Sequence, residues 1–219
     1  VGVLDADVTG PSIPKLLGVR NTPMGTPDGI IPCQSAELGI RVMSVNLILD
    51  DPAKPVVWRG PLIGNVLKQF WEDVSWGELD VLLVDLPPGT ADAPLTVMQT
   101  MPLDGLVMIT SPQGLAGLIV EKACNMAKMM NVELLGLVEN MSYAVCPDCG
   151  KKMEIFGPSH AAEVGERFDV PLVAQLPIDT RVAILGDAGR LEEYDEAAVL
   201  DPLVEGLLSR LGEKVTVED

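Results

Sequence analysis

Two cysteines and three aspartates are the residues of this chain whose types and spacing could do chemistry. Cys146 and Cys149 stand in the segment CPDCG, where two thiolates separated by two residues can hold one soft metal ion. Asp5, Asp7 and Asp85 follow short apolar runs, and carboxylates at strand ends can orient Mg²⁺ or position an attacking water. The sequence therefore predicts a thiolate metal site and a carboxylate site.

The thiolate site needs more than the two cysteines of CPDCG, because a four-thiolate centre requires two further ligands. Cys33 lies in an irregular stretch and its role stays open, whereas Cys124 falls on a predicted helix as a buried apolar residue. Two chains that each contribute Cys146 and Cys149 would complete the centre across a twofold axis. The alternative is half of a zinc knuckle, and the spacing does not distinguish zinc from iron–sulfur.

Each aspartate also has a plainer interpretation. Asp85 ends the run LLVD in the Walker B pattern, but an aspartate at a strand end often only caps the next turn. Asp7 could position a water and Asp5 could lie near a metal shell, or Asp7 could cap a turn beside Gly10. The two motifs together at predicted neighbouring strand ends favour nucleotide hydrolysis.

A phosphate-binding loop of the form G-x-x-x-x-G-K-[ST] does not occur in the 219 residues. Such a loop supplies the backbone cradle for phosphates and the lysine for the β and γ oxygens. We expect it to belong to a strand–loop–helix unit just upstream of Val1, so either that unit is missing from this chain or the protein is not a working NTPase.

The elements that would position these residues alternate along the chain. Short, continuously apolar runs are typical of parallel strands that are covered on both faces, and they occur at residues 1–4, 41–45, 81–84, 105–109, 133–138 and 171–175. Helices are predicted at residues 61–74, 92–100 (capped by Asp92), 113–130, 158–168, 179–188 and 195–211.

This order predicts an α/β fold, a doubly wound and mostly parallel sheet with helices on both faces. We expect a single domain over residues 1–211, a CxxC insertion at 143–157 and a polar tail at 212–219. Ligands of such sheets bind beyond the carboxyl ends of the strands. The aspartates and the segment ENMS at 139–142 follow predicted strands, so they should gather at one edge.

Composition excludes several classes of function. The net charge of 15 − 32 = −17 opposes binding to the phosphates of nucleic acid, although a local site can still accept a nucleotide. No apolar run reaches the roughly 18 residues of a membrane span. Four irregularly spaced cysteines indicate a reducing compartment rather than a disulfide framework, which favours the cytoplasm.

Six segments in this order make a specific pattern over nearly the whole chain: LDADVTGPSIPKLLG, VVWRGPLI, LLVDLPPGTADAPLT, TSPQGLA, VENMSYAVCPDCG and FG at 156–157. They resemble the Mrp-type iron–sulfur cluster carriers, the ApbC-like branch of the MinD/ParA-type P-loop ATPases. The CxxC after VENMS is the discriminating part, since MinD-type relatives that are only ATPases lack it.

The resemblance implies a homodimeric, ATP-dependent carrier that holds a labile [4Fe–4S] cluster between subunits and passes it to apo iron–sulfur proteins. It implies that Asp5 and Asp7 are the acidic switch pair and that Asp85 is the Walker B residue, acting with ATP and Mg²⁺. The implied adenine contact is Asn140, whose amide offers one donor and one acceptor, with Pro177 and Asp179 beside the base. Cys146 and Cys149 are the implied cluster ligands.

Two other functions stay open at this point. One is a non-enzymatic scaffold in which CPDCG holds structural zinc beside a degenerate nucleotide site. The other is a MinD-like positioning ATPase that cycles on a membrane, which the acidic segment 195–211 disfavours because anionic lipid would repel it.

Overall fold

A computed structural model describes residues 1–49, 60–171, 173–195 and 197–215, so residues 56–59 of the VVWRGPLI motif lie outside it. The chain forms two compact units, each described here by itself. Unit 1 comprises Val1–Met101 with Thr180–Tyr194, and unit 2 comprises Pro102–Asp179 with Asp195–Asp219. The expectation of one domain over residues 1–211 stays a prediction.

The six predicted strands and the six predicted helices all occur, together with one short helix and three short strands within residues 13–34 and a short strand at 152–153. In chain order they are β1 (Gly2–Asp5), α1 (Ile13–Leu16), β2 (Met24–Thr26), β3 (Gly29–Ile31), β4 (Cys33–Gln34), β5 (Arg41–Ser44), α2 (Gly60–Glu72), β6 (Leu82–Asp85), α3 (Asp92–Thr100), β7 (Leu106–Thr110), α4 (Gly114–Met129), β8 (Leu134–Val145), β9 (Lys152–Met153), α5 (Ala161–Phe168), β10 (Val173–Pro177), α6 (Thr180–Ala188) and α7 (Asp201–Val215).

The main sheet of unit 1 has the strand order β4-β5-β1-β6. Strand β1 pairs in parallel with β5 and with β6, and β4 pairs antiparallel with β5. The register places Asp5 opposite Ser44 on one side and opposite Asp85 on the other. The carboxyl ends of three strands therefore bring these side chains to one edge, as the sequence predicts.

The sheet of unit 2 has the order β10-β8-β7, and both pairings are parallel. Its central strand β8 is 12 residues long and outruns its neighbours. The far end of β8 pairs antiparallel with β9, so Ala144 and Val145 face Met153 and Lys152. Parallel strands with intervening helices confirm the α/β class, and the predicted insertion contains the β8–β9 hairpin.

Several helix ends differ from the sequence predictions, and three of them change the interpretation of a residue or segment. Asp92 does not cap α3, because the N-cap is Ala91 and Asp92 is the first helical residue. Its negative charge there still interacts favourably with the positive end of the helix dipole. Helix α5 begins at Ala161 rather than at residue 158. The segment 195–211 contains a short 3₁₀ turn, Ala197–Leu200, before α7, which continues to Val215 into the predicted tail.

The core of unit 2 packs α4 and α5 against the sheet. Leu137 of β8 and Cys124 of α4 are fully buried in one cluster with Phe168 of α5. Cys124 therefore behaves as the apolar core residue that the sequence predicts, and burial raises the pKa of its thiol.

Leu137→Ala should lower the free energy of unfolding by about 2–5 kcal/mol, because it leaves a cavity in this cluster. Leu208→Ala is the matched control, since Leu208 is exposed on α7 and should cost less than about 0.5 kcal/mol. Urea unfolding of both variants measures the difference. Equal losses in the two variants would contradict the assignment of Leu137 to the core.

Candidate functional site

Asp5 is the buried last residue of β1, and within the described part of the chain only one of its two carboxylate oxygens accepts hydrogen bonds. The Ser44 hydroxyl donates to Asp5 Oδ2 over 3.0 Å, and the Ile13 N–H donates to the same oxygen over 3.3 Å. Asp5 Oδ1 is buried without a hydrogen-bond partner among the residues that the structure describes. An orphaned carboxylate oxygen at a strand end is a suitable ligand for a hard cation or for its bound water.

Asp7 has the capping role that was the plainer of its two interpretations. Its Oδ1 accepts from the N–H of Gly10 over 3.0 Å, from the N–H of Thr9 over 3.2 Å and from the Thr9 hydroxyl over 2.8 Å. These bonds close the turn after β1 and fix the carboxylate beside Gly10. The role of Asp7 in positioning a water stays a prediction.

The three aspartates of unit 1 interact electrostatically. Burial raises the pKa of Asp5 to about 6, the Ser44 hydrogen bond opposes this, and the charges of Asp85 and Asp7 add to the rise. Burial and then the charge of Asp7 also raise the pKa of Asp85. The site thus holds carboxylates that repel one another, an arrangement that a bound cation would relieve.

Cys146 and Cys149 lie in the turn that joins β8 to β9. The Gly150 N–H donates to the Cys146 carbonyl over 2.9 Å, and the Cys146 N–H donates to the Lys151 carbonyl over 3.0 Å. Cys149 is exposed and Cys146 is half-buried. The N–H groups of Cys149 and Asp148 and the Cys149 side chain lower the pKa of Cys146, which favours the thiolate that binds metals.

The other two cysteines are not part of this turn. Cys33, in unit 1, is buried, and its thiol donates to the Asn21 carbonyl over 3.0 Å. Burial raises its pKa, the opposite of the shift at Cys146. Across the described ranges, no three His, Cys, Asp or Glu side chains are grouped so that they could hold a metal ion. The CxxC turn therefore brings only its own two cysteines together among the described residues, and their role as metal ligands stays a prediction.

Asn140 lies at a bulge of β8. The next residue, Met141, has a left-handed backbone with φ 55°, and its N–H donates to Asn140 Oδ1 over 2.8 Å. The pairing of β8 with β10 changes register here, from Gln175 opposite Glu139 to Pro177 opposite Tyr143. Asn140 is exposed. Pro177 is the last residue of the neighbouring strand β10, and Asp179 lies two residues further along the chain, where the segment Pro102–Asp179 of unit 2 ends.

Glu139 is a site residue that the sequence analysis passes over. It is only 1% exposed, and its carboxylate accepts from the Ser142 hydroxyl, from the His160 N–H over 3.2 Å and from the Gln175 amide over 3.4 Å. Burial raises the pKa of Glu139, but these hydrogen bonds and that of Ser159 outweigh it and hold the pKa below its ordinary value. The segment ENMS contains Glu139, yet no local pattern signals its burial.

A cavity of about 420 Å³ in unit 2 adjoins Glu139. The cavity is lined by the first turn of α4, which includes Gly114, and by His160 at the start of α5. An ion pair of 2.7 Å between Arg167 and Glu121 lies on the same lining. His160 is the N-cap residue of α5, but its side chain makes no capping hydrogen bond and its ring is half-exposed.

Asp5→Asn should remove a pH-dependent loss of stability. Because the native pKa of about 6 exceeds the ordinary 3.8, protonated Asp5 stabilises the fold at low pH, and this contribution is lost as pH rises through about 6. The stability of the variant relative to wild type should therefore rise by roughly 1–3 kcal/mol between about pH 4.5 and 7.5. Denaturant unfolding across that range measures it.

The control for this series is Asp80→Asn, which changes an exposed aspartate near the start of β6. Its stability relative to wild type should stay level over the same range of pH. If the stability of Asp5→Asn relative to wild type were also independent of pH, the pKa of Asp5 would not be raised in the folded protein.

Comparison with known proteins identifies the family of this chain. Residues 1–207 match the family described as the NUBPL iron-transfer P-loop NTPases of the ParA group. An iron–sulfur cluster carrier protein of Methanocaldococcus jannaschii is 46% identical over 191 residues, which are 86% of this chain and 66% of that protein. The chain thus spans about two thirds of the length of this curated relative.

Solved structures show the same fold. A nucleotide-binding protein from Archaeoglobus fulgidus, in complex with ADP and with Co found in it, has a TM-score of 0.78 and 42% identity, covering 89% of this chain and 76% of that chain. The cell division ATPase MinD of Pyrococcus furiosus has a TM-score of 0.62 at 17% identity, covering 94% and 84%, and shows the fold alone. Among the described helices, none is both long and apolar enough to cross a bilayer. With its family match extending over most of its length, this chain belongs to the NUBPL-type iron-transfer P-loop NTPases of the ParA group.

Proposed function

We propose that this protein carries an iron–sulfur cluster and delivers a [4Fe–4S] cluster to apo iron–sulfur proteins. The observation that supports this best is the CxxC turn at the end of the β8–β9 hairpin. One of its cysteines is exposed, and backbone N–H groups lower the pKa of the other. The cluster is cargo, so ligands within reach of a recipient suit the task. The name of the 46% identical relative points in the same direction.

The carrier we propose is a homodimer. A [4Fe–4S] cluster takes four thiolates, and the CxxC turn supplies two. Cys124 is buried in the core of unit 2 and is committed to packing. A second copy that presents the same turn would complete the ligand set, and a twofold axis through the cluster is the simplest closed arrangement.

We also propose that the intact protein binds and hydrolyses ATP with Mg²⁺. In unit 1, Asp5 and Asp85 would hold the cation or its waters, and Asp7 would position the attacking water. The orphaned Oδ1 of Asp5 supports a cation there. In unit 2, Asn140 would contact the adenine edge, with Pro177 and Asp179 beside the base. The ADP in the Archaeoglobus fulgidus protein supports a nucleotide in the family.

The recipients and the compartment follow from the cargo. Apo iron–sulfur proteins are the partners, and the site requires reduced thiols, so the cytoplasm is the compartment we propose. Neither nucleic acid nor a membrane is needed for this activity. A net charge of −17 makes both unfavourable as surfaces to bind.

Cys146→Ser and Cys149→Ser should each abolish cluster binding. Wild-type protein reconstituted anaerobically with iron and sulfide should become brown and hold roughly one cluster per two chains. Each variant loses one thiolate per chain and should stay colourless. Absorbance together with iron and sulfide analysis measures this.

The control is Cys124→Ala, which removes a buried thiol outside the turn and should keep the colour. Light scattering of the reconstituted wild type should give a dimer. A monomer with a fully ligated metal would contradict the shared site. Stoichiometric zinc in place of iron, with no effect of ATP, would favour the structural zinc scaffold.

Asn140→Asp should weaken binding of ADP by roughly tenfold, measured by calorimetry. Aspartate keeps the oxygen that accepts from the Met141 N–H but replaces the amide donor that would face the base. Asn125→Asp makes the same change of charge on the exposed side of α4 and should leave ADP affinity unchanged. Equal affinities for wild type and Asn140→Asp would remove Asn140 from the base site.

A further inference from the structure

Strand β8 carries both candidate sites of unit 2 on one continuous backbone. Asn140 lies near its middle, and Cys146 follows its last residue, Val145. A strand moves as a unit with the strands paired to it, so a shift at the middle of β8 reaches the cysteine turn directly. The question is what fixes the strand between the two sites.

The bulge at residues 139–142 is the point where β8 can change direction. Met141 carries a side chain and yet has φ 55°, a backbone conformation that residues other than glycine rarely adopt. The β10 register is different on the two sides of the bulge. A conformation of this kind persists only where the surrounding contacts hold it.

The contacts that hold the bulge converge on the Glu139 carboxylate. Ser142 donates from within the bulge, the His160 N–H donates from the start of α5, and the Gln175 amide donates from β10. The Gln175 amide also donates to the Ser159 hydroxyl over 2.6 Å, which connects β10 to the residue before His160. One buried side chain thus joins the bulge to two other elements.

We propose that Glu139 is a positioning residue that couples the base site at Asn140 to metal binding at the CxxC turn. The proposal rests on the function proposed above and names how its two ligands communicate. Occupation of the base site would shift the bulge, and the carboxylate, anchored to α5 and β10, would set how far the β8–β9 hairpin follows. Without these hydrogen bonds, the bulge would relax independently of the hairpin.

The experiment measures coupling in the intact protein, with Co²⁺ alone as the metal probe and ADP as the nucleotide. Cobalt–thiolate absorption reports binding at the cysteines, and the Co²⁺ dissociation constant is measured without ADP and with saturating ADP. In wild type, ADP should change it by threefold or more. By linkage, Co²⁺ should change the ADP affinity by the same factor.

Glu139→Gln should bring this factor to within 1.5-fold of unity while the variant still binds Co²⁺ and ADP separately. The amide cannot accept from all the donors that now face the carboxylate. Glu166→Gln is the control, since Glu166 is exposed on α5, and it should keep the wild-type factor. Ser142→Ala removes one donor from the bulge and tests the same coupling if Glu139→Gln does not fold.

A wild-type coupling factor of one with both ligands bound would overturn the proposal, as would an unchanged factor in Glu139→Gln and Ser142→Ala. Failure of the wild type to bind Co²⁺ through Cys146 and Cys149 would instead count against the carrier function itself. Binding of Co²⁺ without any binding of ADP would overturn the coupling and leave the metal site standing.

Discussion

The buried carboxylate of Glu139 needs hydrogen-bond donors, and this need organises the functional edge of unit 2. A carboxylate removed from water without partners is costly by several kcal/mol, so its donors must be held in place. They come from the β8 bulge, from the start of α5 and from β10. The left-handed Met141 and the register shift against β10 occur in the same short segment.

In a second buried carboxylate, that of Asp5, the effects that raise the pKa outweigh the hydrogen bonds that lower it. Two donors reach one of its oxygens, but burial and then the charges of the neighbouring carboxylates make its ionised form costly. The pKa of Glu139 is therefore lowered and that of Asp5 is raised, although both follow buried strand residues. Glu139 keeps its charge as part of the framework, whereas Asp5 gains most from a nearby cation, which is what a site for Mg²⁺ would require.

Hydrophobic patterning predicts most of the framework from sequence. Six apolar runs correspond to β1, β5, β6, β7, β8 and β10, and the longest helix, α4, agrees with its prediction to within one residue at each end. The exposed β2–β3 hairpin escapes prediction because its strands are three residues long and lie in a stretch rich in proline and glycine. The far half of β8 escapes because polar residues end the apolar run at Val138.

The residues of the candidate sites likewise divide into those that the sequence predicts and one, Glu139, that it does not. The positions of Asp5, Asp85 and Asn140 are predictable because they follow apolar runs, and the CxxC turn is predictable because its two cysteines are close in sequence. The role of Glu139 is not, since its donors Ser142, His160 and Gln175 reach it only after three elements have packed together. Spacing identifies ligands that are local in the chain, but satisfaction of a buried charge is a property of the folded unit.

The number of ligands bears on how a carrier would release its cargo. If four thiolates come from two identical turns, each chain supplies half of the sulfur–iron bonds. A change in the direction of one hairpin then strains all four of these bonds at once. A site with four ligands from one rigid core would gain affinity but would lose this control. Exposure of Cys149 also leaves one sulfur open to exchange with an incoming ligand. A hairpin anchored through a bulge is thus suited to holding a cluster that must later be given away.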